Sequence, residues 1–278
     1  MADASRISWL ASYPKSGNTW IRMFLNAFIT KFPLNINSAY QHVQRDNDMC
    51  MLQMMCPTCV EKLSVGEFFI YRPALLLNKL KISPTIDVCF KTHNAKVVLN
   101  GFETIPTALS KNAIYIIRDP RDVCISLSHH LGMTIDQTIE FMNNPQQGLV
   151  DELHMTSLVL SWSKHVETWT LINNNVPTLV VRFEDILDDP LKVFDQILIY
   201  FELTRNDNLE ERLHFALEQS SFENLRFQED KVGFIEKGKN KHFFRSVKAG
   251  QWKEHLTSMQ SDKIKDDHKS VMEKFDYA

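Results

Sequence analysis

A chain of 278 residues with 44% apolar composition is long enough to bury a substantial core, and we read one domain over residues 1–278. Its 31 Lys and Arg against 34 Asp and Glu leave a formal charge of −3, so there is no general electrostatic reason to bind nucleic acid or an anionic membrane, and an anionic ligand needs a local basic site. No window approaches the ~18 apolar residues of a membrane span and the N-terminal MADASRISWLASYPK lacks the apolar stretch of an export signal, so a cytoplasmic protein with reduced cysteines is expected.

In chain order, RISWLASY is a short apolar run ending at Pro14 and predicts a strand. NTWIRMFLNAFITKF then repeats apolar residues at Trp20, Met23 and Phe24, Ala27 and Phe28, and Phe32, the period of a helix. Further on, MCMLQMMCPTCV sets Cys56 and Cys59 at the spacing of a zinc or redox pair, with Cys50 and His42 as further ligands. A second pair at zinc spacing is missing, no paired carboxylates offer another metal site, and no metal is expected. Met49, Met51, Met54 and Met55 suit an adaptable apolar wall, in the core or in an acceptor pocket. TIDVCFKTH, NAIYIIRD and TLVVRFED predict three more strands with helical segments between them. Their apolar runs are continuous rather than alternating, which favours a parallel sheet covered on both faces. TSLVLSWSKHVETWTLI predicts a helix with Leu158, Trp162, His165, Val166, Trp169 and Ile172 on its core face, and Asp189-Pro190 opens another. Residues 230–252 mix glycines, lysines and aromatics without a period and are expected to form a mobile basic loop.

Where a parallel strand gives way to a helix, backbone N–H groups and the positive helix end point into the same gap, which suits an anion. Pro14-Lys15-Ser16-Gly17-Asn18-Thr19 occupies such a place. A kinase-type loop, G-x-x-x-x-G-K-[ST], aligns with Gly17 and Thr19 but meets Ser12 at its first glycine and Asn18 at its lysine. The cation stands instead at Lys15, where it can neutralise a bridging or leaving phosphate oxygen; taken alone, the segment is equally a tight turn with a solvated lysine. In IYIIRDPRDVCISLSHH, Arg118 ends a strand, Asp119 can cap the next helix with Pro120 at its first position, and Ser126 lies two turns beyond the cap. Arg118 and Ser126 can therefore converge on a second anion; the alternative is an ordinary Arg–carboxylate pair beside a surface serine. His93 ends its strand with Lys91 on the same side. It is placed to take a proton from an acceptor hydroxyl, or is simply a hydrogen-bonded strand-end histidine.

With these segments together, the chain resembles the soluble sulfotransferases, which use 3′-phosphoadenosine 5′-phosphosulfate (PAPS) as sulfuryl donor. The likeness runs through YPKSGNTW, KTH at 91–93, the Arg118/Ser126 spacing, RFED at 182–185, SSFENL at 220–225 and FFRSVKAGQWK at 243–253. It implies a three-layer α/β sandwich with a central parallel sheet and a P-loop-like nucleotide site. It also implies that Lys15, Ser16, Gly17, Asn18 and Thr19 cradle the phosphosulfate, with Asn18 where many relatives carry threonine, and that Trp20 stacks on adenine. Phe183 stands at the place of an adenine-side tyrosine, and Ser220 and Phe222 match a further adenine-side segment. Arg118, Ser126, Arg245 and Gly250 are implied as 3′-phosphate ligands, although Ser246 and Val247 replace the lysine and first glycine of the family's R-K-G-x-x-G clamp. His93 is implied as catalytic base, with Lys15 and Lys91 on the leaving and transferring oxygens and His129 and His130 as alternative bases.

The acceptor is expected to be a small molecule with a hydroxyl or amine, in a pocket built from residues 33–85, 129–155 and 230–245. The competing readings are a P-loop small-molecule kinase, disfavoured by the displaced lysine, and a nucleotide-binding protein without turnover, disfavoured by the intact Lys15, Lys91 and His93. The family's dimer contact, K-x-x-x-T-V-x-x-x-E, is reduced here to KEHLTSMQSD, so a monomer or a different interface is expected.

Overall fold

The computed structural model describes residues 6–38, 42–46, 65–82, 88–150, 156–170, 175–204, 208–237, 242–244 and 248–278. Five strands, β1 (Ile7–Ser12), β2 (Val43–Arg45), β3 (Val88–Thr92), β6 (Ser110–Ile117) and β9 (Thr178–Arg182), form one sheet in the order β2-β3-β1-β6-β9. Every pairing in it is parallel. Short pairs β4 (Val98–Leu99) with β5 (Phe102–Glu103) and β7 (Gly148–Val150) with β8 (Thr156–Leu158) are antiparallel hairpins outside it.

Alternation along the strands divides the core in two. Trp9, Ala11, Phe90, Ala113, Tyr115 and Ile117 pack on one face against α2 (Val65–Ile82), α3 (Pro120–Leu131), α4 (Ile135–Asn143), α5 (Trp162–Thr170) and α10 (Ser258–Lys274). Leu10, Cys89, Ile114, Ile116 and Val181 face the other way, toward α1 (Asn18–Thr30), α7 (Pro190–Tyr200), α8 (Leu209–Gln219) and α9 (Phe222–Val232). Burial on both faces is the reason that strands expected from continuous apolar runs are parallel and central. Among the described residues no helix is long and apolar enough to cross a membrane.

Register decides which residues meet. Ala11 lies opposite Thr92, Ser12 opposite Ile116, and Ile117 opposite Arg182. The segments leaving β1, β3, β6 and β9 therefore emerge together at the carboxyl edge of the sheet, where strand order reverses about β1 and ligands of open α/β sheets bind.

Two expectations need correction. Leu158 is not helical: it ends β8, and its carbonyl accepts from Ala95 N at 2.7 Å. Val159 and Leu160 both donate to the Gln147 carbonyl and Leu160 takes φ 58°, so the chain is committed to the hairpin and α5 starts only at Trp162. Trp162, His165, Val166 and Trp169 do form the expected core face, while Ile172 lies outside the described residues. The 230–252 segment is held rather than mobile wherever it is described. Asp230–Val232 complete α9, Phe234 is buried, and Asn37 accepts from Ile235 N and donates to Gly233 O, both at 3.0 Å. The backbone N–H groups of Phe243 and Phe244 donate to the Glu229 carboxylate, a partner set that no local sequence pattern reveals.

Candidate active site

The loop after β1 is shaped by two left-handed residues. Lys15 has φ 68° and Gly17 φ 107°. A Cβ at Gly17 would stand 2.5 Å from Cδ2 of Phe183, the first residue of the short helix α6 (Phe183–Asp188), so only glycine permits both the backbone turn and this approach. Asn18 begins α1 with its amide turned away from the loop, donating to Leu10 O at 2.9 Å and Ser12 Oγ at 3.3 Å. It braces the loop on β1, which leaves the first amides of α1 as what it offers a ligand. Thr19 is half-buried, and Ser16 Oγ is buried with no hydrogen-bond partner, a polar atom suited to an anion's oxygen. The Lys15 ammonium lies 4.0 Å from the centre of the Phe243 ring.

His93 stands across the gap from this loop. Its Nδ1 is 2.8 Å from the Ser12 carbonyl and 3.3 Å from Ser12 Oγ. The carbonyl can only accept, so Nδ1 carries the proton and Nε2 is left with its lone pair, the tautomer a general base needs. Behind it, His165 Nε2 donates to the His93 carbonyl at 3.1 Å while Nδ1 accepts from Tyr115 OH at 2.8 Å, and Trp169 Nε1 donates to Asn94 O at 3.0 Å. The aromatic face of α5 thus holds the backbone of His93 and Asn94 in place. Burial, reinforced by the Lys91 charge, keeps the His93 imidazole well below the usual histidine range despite the Ser12 hydrogen bond.

Arg118 follows directly on β6, which ends one residue earlier at Ile117, and Asp119 caps α3 by accepting from Arg121 N at 2.9 Å. The guanidinium donates to the Lys15 carbonyl at 3.3 Å and to the Lys248 carbonyl at 3.1 Å, and lies 4.3 Å over the Phe183 ring. Its Nε is buried without a partner. Asp122, 3.9 Å away, gives its two oxygens to Gly250 N (2.7 Å) and Trp252 N (3.0 Å) instead. Burial raises the Asp122 carboxyl, against the pull of Arg118 and those amides. The left-handed turn at Gly250, with φ 76°, is pinned to α3 in this way, and Arg121 covers the Trp252 ring at 3.8 Å. Ser126 is half-buried on α3 and makes no hydrogen bond among the described residues. Arg245, Ser246 and Val247 lie outside them.

Trp20 donates from Nε1 to the Ser220 carbonyl at 3.0 Å and meets Phe183 edge-on at 6.1 Å. Ser220 is fully buried and its hydroxyl donates to Ala216 O, so its backbone rather than its side chain meets Trp20. Phe222 is half-buried at the start of α9 and packs on the same core cluster.

Three charged groups with no place in the expected site, Glu236, Arg22 and Arg45, meet near Lys91. Glu236 accepts from Arg22 Nη2 at 2.7 Å, lies 3.0 Å from Arg45 Nη2 and 4.0 Å from Lys91 Nζ. The register explains part of this, since Arg45 is opposite Lys91 in the β2–β3 pair. Burial lowers Lys91 to about 8, Glu236 opposing and Arg22 and Arg45 adding to the effect. Burial alone would raise the Glu236 carboxyl, but Arg22, Lys91 and Arg45 outweigh it and hold it well below the carboxylate range. His130 feels the same charges: its ring is edge-on to Phe243 at 6.5 Å, and burial with the Lys15 and Lys91 charges brings it down to about 4. His129 is exposed. Among the described residues no group of His, Cys, Asp and Glu is placed to hold a metal, and Cys50, Cys56 and Cys59 with the methionines of 49–55 lie outside them.

Sequence reasoning passed over Arg22, Arg45, Asp122, Glu236 and Phe243. Asp122 had a local signal, four residues after Arg118 on one helix face. The others come together only through the sheet register and the turn after α9.

The family model described as "Sulfotransferase domain" matches residues 6–276. Sulfotransferase 1B1 of Canis lupus familiaris is 24% identical over 271 residues, covering 92% of this chain and 79% of the relative. Flavonol 4′-sulfotransferase of Flaveria chlorifolia is 23% identical over 265 residues, covering 92% and 76%. Among solved structures, mouse sulfotransferase SULT7A1 complexed with PAP matches with TM-score 0.62 at 19% identity, over 98% of this chain and 86% of that one. Retinol dehydratase in complex with androsterone and the inactive cofactor PAP matches with TM-score 0.60 at 18% identity, over 96% and 80%. Both share the parallel-sheet fold described above.

Proposed function

Given that the chain belongs to the sulfotransferase family, we propose that its one domain, residues 1–278, moves a sulfuryl group in line from PAPS to a hydroxyl or amine of a small-molecule acceptor in the cytoplasm. PAPS supplies an activated sulfuryl group on a phosphate leaving group. Lys15, Ser16, Gly17, Thr19 and the first amides of α1 hold the phosphosulfate end, with Lys15 and the amides stabilising the charge that builds on the leaving oxygen. Arg118, Ser126, Arg245 and Gly250 hold the 3′-phosphate, with Asp122 keeping the Gly250 turn against α3. Trp20, Phe183, Ser220 and Phe222 form the adenine side, Asn18 bracing the loop from behind.

His93 Nε2 takes the acceptor proton, and Lys91 faces the oxygens in transfer. Two orphaned buried polar atoms, Ser16 Oγ and Arg118 Nε, fit a ligand with anionic groups at both ends. The observation that carries this reading is the His93–Ser12 hydrogen bond, which points an unprotonated ring nitrogen away from β1 beside the phosphate loop.

The test is calorimetry with 3′-phosphoadenosine 5′-phosphate (PAP) in the presence of chelator. Micromolar or tighter binding without divalent metal is expected, followed by release of PAP from PAPS in a screen of hydroxyl and amine acceptors read by product mass. Tighter binding of ATP than of PAP would favour the kinase reading and defeat this one.

A further inference from the structure

The backbone that carries His93 has already left the sheet. β3 ends at Thr92, opposite Ala11, so the ladder with β1 no longer fixes the residues that follow. Asn94, next in the chain, is 0% exposed, and its side-chain amide bridges two partners of opposite kind. Oδ1 accepts from Leu158 N at 2.9 Å, and Nδ2 donates to Asp46 Oδ2 at 3.0 Å. A backbone N–H can only donate and a carboxylate only accept, so these partners determine which way the amide faces. On the Leu158 side the grip is double: Ala95 N donates to the Leu158 carbonyl at 2.7 Å, and the Asn94 side chain stands where a neighbouring strand would offer its own carbonyl. On the other side, the Asp46 backbone N–H donates to the Lys91 carbonyl at 3.3 Å while its carboxylate takes the Asn94 amide. One residue thus spans Lys91 to Asn94 and brackets the K-T-H triplet. Arg72, fully buried on α2, pairs with that carboxylate. The Asn94 main chain is fastened as well, its N–H donating to Thr92 Oγ1 and its carbonyl accepting from Trp169 Nε1, both at 3.0 Å.

Resting on the sulfotransferase reading, in which His93 is the base, we propose that Asn94 is a positioning residue for the reaction: with Asp46 and Arg72 behind it, its side chain sets the backbone from Lys91 to Asn94 and, through it, the aim of His93 Nε2. Both contacts of the imidazole with Ser12 run through Nδ1, so the place of Nε2 follows the backbone. A reacting group displaced by ~1 Å can lose ~10²-fold in rate, which is the scale on which a loosened bracket acts. The amide is needed for its two-sidedness. A leucine fills similar space but leaves the Leu158 N–H without its acceptor and the Asp46 carboxylate without its donor, and an aspartate sets two carboxylates together. None of the Asn94 bonds reaches the loop at 14–19, Arg118 or the Gly250 turn. Its effect therefore falls on the proton transfer and spares the donor.

A double-mutant cycle with PAPS as donor and benzyl alcohol or phenol as acceptor tests the proposal. Asn94→Leu should lower kcat about 10- to 100-fold while calorimetric PAP affinity stays within about twofold. In a His93→Ala background the same substitution should cost less than about twofold, because the group it positions is gone; a residue that only supports the fold costs the same in both backgrounds. Nitrogen NMR of the His93 ring reads the effect without an acceptor: the single Nδ1–H tautomer of the unaltered protein should give way to a mixture in Asn94→Leu. Hydrogen exchange in the unaltered protein keeps the test open should the variant not fold. The amides of Asn94 and Leu158, held by side chains, should exchange as slowly as those of Leu10 and Ile114 in the central strands. Equal losses with and without His93, an unchanged tautomer, or exchange at Asn94 and Leu158 about 100-fold faster than in those strands overturns the positioning role alone. Failure of PAP to bind overturns the donor reading, full activity of His93→Ala overturns the base, and this inference falls with either.

Discussion

Two buried arginines with a nearby carboxylate, Arg118 and Arg22, are used in opposite ways. At Arg118 the carboxylate of Asp122 stays 3.9 Å off and spends its oxygens on the Gly250 and Trp252 amides, while the guanidinium holds the carbonyls of Lys15 and Lys248. At Arg22 the carboxylate of Glu236 sits on the guanidinium itself at 2.7 Å. At Arg118, then, the carboxylate organises backbone and leaves the guanidinium Nε without a partner among the described residues. At Arg22 a carboxylate occupies the guanidinium directly. A site for an obligatory donor can be preorganised around an absent ligand, because the backbone carbonyls partly satisfy the arginine in the meantime. Arg22, whose Nε and Nη1 have no partner among the described residues, takes its compensation from a carboxylate instead.

The largest effect should come at the proposed base. His93→Ala is expected to lower kcat by ~10²–10⁴-fold with PAP affinity almost unchanged, measured by initial rates and calorimetry. Full activity toward an alcohol acceptor would move the base to His130, the histidine under the same Lys91 charge.

Donor-side backbone comes next. Gly17→Ala combines a left-handed backbone penalty with a Cβ 2.5 Å from Phe183. Together these cost about 3 kcal/mol, so PAP affinity should fall roughly 100-fold. Adding Phe183→Leu should recover only the steric share.

Asp122→Ala separates the two arginine sites more finely. Stranding two backbone amides should lower stability by about 2 kcal/mol in denaturant unfolding, and loosening the Gly250 turn should weaken PAP roughly tenfold. Unchanged PAP affinity in a folded Asp122→Ala variant would detach the Gly250 turn from the proposed donor site.

The smallest effect is in pH dependence. Lys91, brought down to about 8, loses its charge as pH rises through that value, so kcat/KM for the donor should fall above about pH 8 by up to tenfold per unit. Lys91→Met should remove this limb. Stability moves the other way: the unfolded chain keeps that proton up to about 10.5, so between about 8 and 10.5 losing it favours the folded state. The acid limb from His93 should lie below the ordinary histidine range, because its imidazole stays neutral there.

The segments assigned to the donor were legible as strand, loop and helix start because their pattern is local. A strand, a loop of small residues with Lys15, and a helix start are consecutive in sequence, and Arg118 with its cap lies within one strand–helix junction. The strand segments were legible for a similar reason, since burial on both faces leaves continuous apolar runs. Where local pattern competes with partners far along the chain it misled: Leu158 suits a helix face but is held in a hairpin by Ala95, and the basic stretch after α9 has no period yet is fastened by Asn37, Glu229 and Asp122.

From sequence alone came the family, the parallel sheet, the phosphate loop and the K-T-H histidine, all properties of short contiguous segments whose period or residue order carries the physics. Only the tertiary structure could decide that His93 holds its proton on Nδ1, that Gly17 is required by Phe183, and that Glu236 faces Arg22, Arg45 and Lys91. Each of these joins residues separated by 81 or more positions, or depends on which strand lies beside which. Sequence spacing carries no information about such distances until the β2-β3-β1-β6-β9 order brings the segments to one edge.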